Sequence, residues 1–366
     1  MDKFKKIGVT ALAGALAATS AHAGELTVTG GANLTYKWGD AETSTNSTTS
    51  KAIGFDKDVA FTGSGELDNG TTFSFFTATN DSQTDLSSGA MTITTPSFGS
   101  FLLGHHSGGA HYKYDEEVPQ VYEQISDISK HVTQNKIGDF MDNNHITYTS
   151  PTFDFGGASI TFDLGYATQA SDIETGDGGT LKANAYGEGK EAGITIAYDA
   201  LKLGVYGAER ENNTPRNAAA TAGAADGVND EFNGVWYAKY NFGPVSVGYS
   251  QFYVDAGVAQ TAVVATNAAK TLRTSGGFTE GDQIGIAFNV NDNFSISYTE
   301  STETYDAQDH ATTAIADVDQ KIDAIQLAYS MGGMSIKVYQ MEVENAQFDE
   351  DASDETETEI ALGLAF

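Results

Sequence analysis

The sequence predicts an all-β fold, a 16-stranded antiparallel transmembrane β-barrel with one long loop carrying a short helix. Three observations predict it. Apolar and small or polar residues alternate with period two along almost the whole chain after residue 23. The connections between alternating segments are short and long in turn, and the chain ends on such a segment with an aromatic residue, Phe366.

The first 23 residues are expected to be removed. Lys3, Lys5 and Lys6 precede an Ala-rich apolar run from Ile7 to Ala18, and Ala21-His22-Ala23 supplies the small residues that a signal peptidase reads. The run is too short for a membrane-spanning helix. This predicts a signal peptide over 1–23 and a barrel over 24–366. No cysteine is present, so neither a lipid anchor on cysteine nor a disulfide framework is available.

Composition then excludes whole classes. Losing three lysines and one acid with the signal peptide leaves 16 Lys+Arg against 49 Asp+Glu, a net charge of −33. Nucleic-acid binding needs the opposite sign. No long apolar run follows residue 23, which excludes a helical membrane protein. The mean hydropathy of −0.29 is that of a soluble protein. A barrel hides its apolar face by alternating it with polar residues.

The alternation assigns strands to 25–38, 52–66, 71–80, 89–95, 100–107, 144–150, 158–169, 191–199, 201–211, 232–242, 245–256, 282–290, 294–305, 321–330, 334–346 and 357–366. Ile360, Leu362, Leu364 and Phe366 share one face of the last segment. Short turns fall at 67–70, 95–99, 150–157, 200, 243–244, 291–293 and 331–333, and longer polar loops lie between them. An even number of strands with tight turns at one end and long loops at the other is what a closed single-chain barrel requires. Closure also pairs every backbone group within lipid. Tyr36, Trp38, Tyr166, Tyr198, Trp236, Tyr240, Tyr249, Tyr298, Tyr329 and Phe366 fall near segment ends on the lipid-facing parity, as interfacial girdles do.

Together the signal peptide, the sixteen alternating segments and the terminal Phe366 resemble the general diffusion porins of Gram-negative outer membranes. Phe98-Gly99-Ser100 leading into Leu103-Gly104-His105-His106 is similar to that family's fifth strand, with His105 where an arginine is common. The resemblance implies an outer-membrane channel for passive diffusion of small hydrophilic solutes and ions, with no enzymatic activity, assembled as a homotrimer. It implies contact with lipid and lipopolysaccharide, and a terminal aromatic, Phe366, read by the barrel-assembly machinery. It also implies that the third loop, here residues 108–143, folds inward as the constriction.

The loop residues themselves point to a helix. Asp115-Glu116-Glu117 ahead of Pro119 is a helix-start signature, and Val118, Val121, Tyr122, Ile125 and Ile128 have helical spacing. Asp115, Glu116, Glu117, Glu123 and Asp127 are candidates for an acidic side of the pore. Lys37, His105, His145, Lys202, Lys239 and Lys337 are candidates for a basic wall, and opposed charges would set up a transverse field. The acidic excess favours cations.

Other chemistry is set aside. His105 and His106 are adjacent on a strand and point to opposite faces, so they cannot share a metal. Gly187-Glu188-Gly189 lacks the context of a phosphate loop. Asp349, Asp351 and Asp354 could collect calcium, or bridge calcium or magnesium at the cell surface, although a solvated acidic loop explains them as well. No cofactor is expected. A substrate-specific or anion-selective pore, a barrel hydrolase and a surface adhesin are the competing readings. The scattered histidines form no catalytic set.

Overall fold

The computed structural model describes residues 24–43, 46–79, 86–115, 117–125, 137–142, 144–170, 186–212, 230–255, 257, 277–307, 317–348 and 354–365. No helix among them is long and apolar enough to cross a membrane. The chain instead forms one closed antiparallel sheet. Its strands are β1 (Glu25–Thr43), β2 (Asn46–Glu66), β3 (Thr72–Thr79), β4 (Leu86–Thr95), β5 (Gly99–His105), β6 (His145–Thr149), β7 (Phe153–Phe155), β8 (Ala158–Ala167) and β9 (Tyr186–Tyr198). They continue as β10 (Leu201–Asn212), β11 (Glu231–Phe242), β12 (Val245–Asp255), β13 (Gly277–Asn291), β14 (Phe294–Ala307), β15 (Val318–Met331), β16 (Met334–Glu344) and β17 (Glu355–Ala365).

These seventeen segments make sixteen staves, because β6 and β7 lie end to end against β8. Pro151 sits in the break, where its missing N–H cannot join a ladder. Beside it, the Ser150 hydroxyl accepts from the Phe162 N–H at 2.9 Å while the Ser150 N–H donates to the Phe162 carbonyl. The turn expected over 150–157 therefore contains a short strand, Phe153–Phe155, and the reversal is made by Gly156 and Gly157, both at positive φ.

Closure is made by β1, which pairs with both β2 and β17. Following the registers strand by strand around the ring returns a residue of β1 to a position 20 residues further along the same strand. With sixteen staves about 4.8 Å apart and ~3.3 Å per residue, that stagger tilts the strands by about 40°. The same spacing gives a barrel radius of about 16 Å.

Apolar side chains point outward and are exposed: Leu26, Val28, Leu34 and Tyr36 on β1, Ile284 and Ile286 on β13, Ile360, Leu362 and Leu364 on β17. That face suits lipid. Tyr198, Tyr240 and Tyr329 join it near strand ends, and Trp236 and Tyr298 join it farther along their strands, whereas Phe366 lies outside the described residues. The first loop is a correction. The ladder of β1 and β2 continues through Gly39↔Ser50 to Thr43↔Asn46, where the sequence, rich in Ser and Thr without apolar alternation, suggests a loop. Threonine favours extended backbone whether or not the face it lies on is apolar.

Candidate functional site

The third loop lies inside the barrel and follows one row of inward-facing wall residues. It begins on β8 and β9 with a 3-10 turn, Ala110–Lys113. Glu191 of β9, its side chain fully buried, accepts from the backbone N–H groups of Ala110 (2.9 Å) and His111 (3.3 Å). The same carboxylate accepts from the Tyr206 phenol (2.8 Å) and the Thr147 hydroxyl (3.2 Å). Asp163 of β8, equally buried, accepts from Lys113 Nζ, the Thr149 hydroxyl and the Tyr114 phenol. Two wall carboxylates thus hold the root of the loop by charge-assisted bonds. Tyr114 needs Gly193 beneath it, because a Cβ there would fall 2.5 Å from its ring, and it stacks on Tyr206 at 5.3 Å. Burial holds the Tyr114 phenol well above its ordinary pKa range, so it remains a donor.

The loop then crosses β10 and β11, where Glu117 meets Lys202 at 3.1 Å and also pairs with Lys239. Pro119 rests on Gly248 of β12 and Gly285 of β13, where a Cβ would come within 2.5 and 2.9 Å of it. At β14 and β15 the Val121 N–H donates to Ser297 Oγ (3.2 Å) and the Tyr122 N–H to Gln326 Oε1 (2.8 Å). Gln326 Nε2 donates in return to the Glu123 carbonyl at 2.6 Å. The Tyr122 phenol reaches Glu359 of β17 and its ring packs on Tyr339 of β16. Tyr122, Ile125, Ile322, Tyr339 and Met341 make an apolar cluster there. At the other end Ile137, Phe140 and Met141 close a second cluster with Tyr114, Tyr206, Val235 and Tyr237. Arg210 pins that end, pairing with Glu231, donating to the Ala170 carbonyl at 2.9 Å and lying over the Tyr186 ring at 3.6 Å.

This bonding corrects where the expected helix begins. It does not begin at Asp115: residues 117–124 are bends and irregular backbone, and Ile125 is the first helical residue after them. Pro119 has no N–H, and those of Val121 and Tyr122 are given to the wall instead of to a preceding turn. Ile128 lies outside the described residues.

Of the acidic candidates, Asp115, Glu117 and Glu123 are in the lumen loop, and Glu116 and Asp127 lie outside the described residues. Lys37, His145, Lys202, Lys239 and Lys337 all face inward, as the alternation requires. They do not form one opposed basic wall. Lys202 and Lys239 sit on the side of the loop and pair with Glu117, and Lys37 pairs with Glu357 (2.8 Å) and Glu359 (3.6 Å). Lys337 lies over the Tyr122 ring at 5.2 Å, and His145 is buried against Gly104.

His105 is misplaced by the sequence reading. It shares the outward parity of Phe101 and Leu103, with Nδ1 2.7 Å from Asn144 Oδ1, while Gly104 takes the inward position. Asp354 is exposed, and Asp349 and Asp351 lie outside the described residues. Glu191, Asp163, Glu359 and Gln326 were missed. Their signal was present, since each is an inward-parity residue with a long polar or charged side chain in the middle of its strand.

The model of the family described as Gram-negative porin matches residues 8–366. The chain belongs to the Gram-negative porin family. As a porin it is an outer-membrane channel. No curated protein sequence matches this porin. Among solved structures it is similar to OmpF of Salmonella typhi in complex with daunomycin, with 12% identity, 94% of this chain and 98% of that one covered, and a TM-score of 0.67. The in-vitro folded OmpT of Vibrio cholerae in its trimer form gives 12%, 94%, 100% and 0.61. The outer membrane channel DcaP of Acinetobacter baumannii gives 10%, 95%, 99% and 0.62. At such identities the likeness is one of fold.

Proposed function

We propose that this porin is a water-filled, cation-preferring pore through which small hydrophilic solutes and ions diffuse passively, with no catalytic role. One observation carries the preference. The wall formed by β2 to β5 presents Asp56 and Asp58 toward the lumen and, among the described residues, no inward lysine or arginine. The basic groups elsewhere are largely matched: Glu117 takes Lys202 and Lys239, and Glu357 and Glu359 take Lys37. A wall whose charged inward side chains are all acidic, set in a low-dielectric frame, concentrates the opposite ion. Export through a cleaved signal peptide, recognition of Phe366 during assembly, contact with lipopolysaccharide and association as a homotrimer complete the proposal. The trimer form of a fold neighbour supports the last of these. Conductance in planar bilayers, with the reversal potential across a KCl gradient, tests the reading. A folded barrel that passes no current would refute the pore, and a reversal potential on the anion side would refute the preference.

A further inference from the structure

Between the two clamped ends of the loop, the wall carries a run of neutral polar side chains that the pore reading leaves unexplained. Ser250 of β12 lies opposite Gln283 of β13, and Gln283 opposite Ser301 of β14. Thr299 is the next inward residue on β14. All four are at most 1% exposed. Neither amide atom of Gln283 and none of the three hydroxyls has a hydrogen-bond partner among the described residues. From the loop side Gln120, next to the Pro119 that rests on Gly248 and Gly285, also has both amide atoms buried and unpartnered.

Buried hydroxyls and amides in folded proteins are almost always hydrogen-bonded, to protein or to ordered water. An isolated exception has many causes. Here four such side chains are grouped on three adjacent strands, and a fifth belongs to the loop seated against those strands.

We propose that a recess lies between the middle of the third loop and strands β12 to β14 and binds neutral hydroxyl-type guests, filled at rest by water that bridges loop and wall. The chemistry selects that class. A hydroxyl offers one donor and two acceptor positions and an amide offers both kinds, so the site needs partners that donate and accept at once. A bare cation would leave the amide N–H groups unbonded, and an anion would leave the carbonyl oxygens unbonded. None of these five side chains is charged. The nearest charges have partners of their own: Glu117 holds Lys202 and Lys239, and Glu303, the next inward residue beyond Ser301, is also engaged. With about three bonds per buried water, roughly two or three molecules would serve the recess. The loop would then be fixed at its ends by side chains and carried in its middle by exchangeable bonds. The inference is independent of ion preference.

Thr299→Val, close to isosteric, and Ser301→Ala test it, read by the temperature at which the folded electrophoretic form is lost. If the hydroxyls bond water, each variant lowers that temperature. If the recess is dry, each removes an unpaired polar atom and raises it, which would overturn the proposal; Ser301→Ala gives the result should Thr299→Val not fold. Crystals of the full barrel, grown with and without glycerol, separate the sources of guest. Solvent oxygens about 3 Å from Gln283 and Thr299 without glycerol support water, and their replacement by glycerol hydroxyls extends the site to polyols. Glycerol density with no solvent in its absence is an adventitious additive only, and it overturns the proposal, as does direct protein contact to these atoms.

Discussion

Glu191 is one of the residues through which the wall holds the lumen loop, and replacing it should loosen the loop without opening the barrel. In Glu191→Ala four donors lose their acceptor: two loop N–H groups, the Tyr206 phenol and the Thr147 hydroxyl. A buried donor left unpaired costs about 1–3 kcal/mol. Relief from no longer holding a buried charge offsets part of this, and breaking a buried charged contact typically nets about 3–5 kcal/mol. At ~1.4 kcal/mol per factor of ten, opening of the Ala110–His111 turn should become roughly a hundred to several thousand times more frequent. The effect stays local, because Asp163 still holds Lys113 and Tyr114. Glu191→Gln keeps one carbonyl oxygen and should lose about half as much. Amide exchange of the peptide containing Ala110 and His111, followed beside peptides of β12 to β16, reads both variants, and single-channel records should show added flicker. Unchanged protection at Ala110 and His111, or an equal loss across the distant strands, would refute the reasoning.

Four further outcomes are open to measurement. Glu117→Gln strips Lys202 and Lys239 of their shared carboxylate and should move the reversal potential toward anions; an unmoved potential would show that these charges lie outside the selective field. Gly285→Val pushes a side chain into Pro119 and should change single-channel conductance while strand content by circular dichroism stays the same; unaltered current would mean the loop does not rest there. Burial first, and the bond to Glu359 second, raise the pKa of Tyr122; the unfolded phenol ionises near 10, so the clamp's contribution is complete below pH 10 and falls as pH rises beyond it. Thermal stability should decline above that pH, less steeply in Tyr122→Phe, and equal slopes would count against the clamp. Deleting Phe366 should reduce the amount of barrel in the outer membrane, measured by fractionation, and normal levels would remove its role in assembly.

Alternation alone determined the sixteen staves, the outward apolar face and the inward parity of Lys37, His145, Lys202, Lys239 and Lys337. A period of two is a property of a few consecutive residues, and one buried or lipid-facing side suffices to write it into the chain. It erred where that signal is weak. The sequence over 39–51 carries no apolar alternation, and His105 stands at a strand end, where a family pattern suggested a charge in the pore. Only the closed structure decided which charges meet. Glu117 finds Lys239 across 122 positions of sequence, and Tyr122 finds Gln326 and Glu359 across 204 and 237. Those encounters depend on the 20-residue stagger of the ring, which brings the row under the loop from Asp163 of β8 round to Glu359 of β17. Stagger is a sum over every hairpin register, so no local pattern contains it. The sequence therefore shows that an inward acid or lysine exists, and the ring determines whether it is paired, buried beneath the loop or left facing the solute.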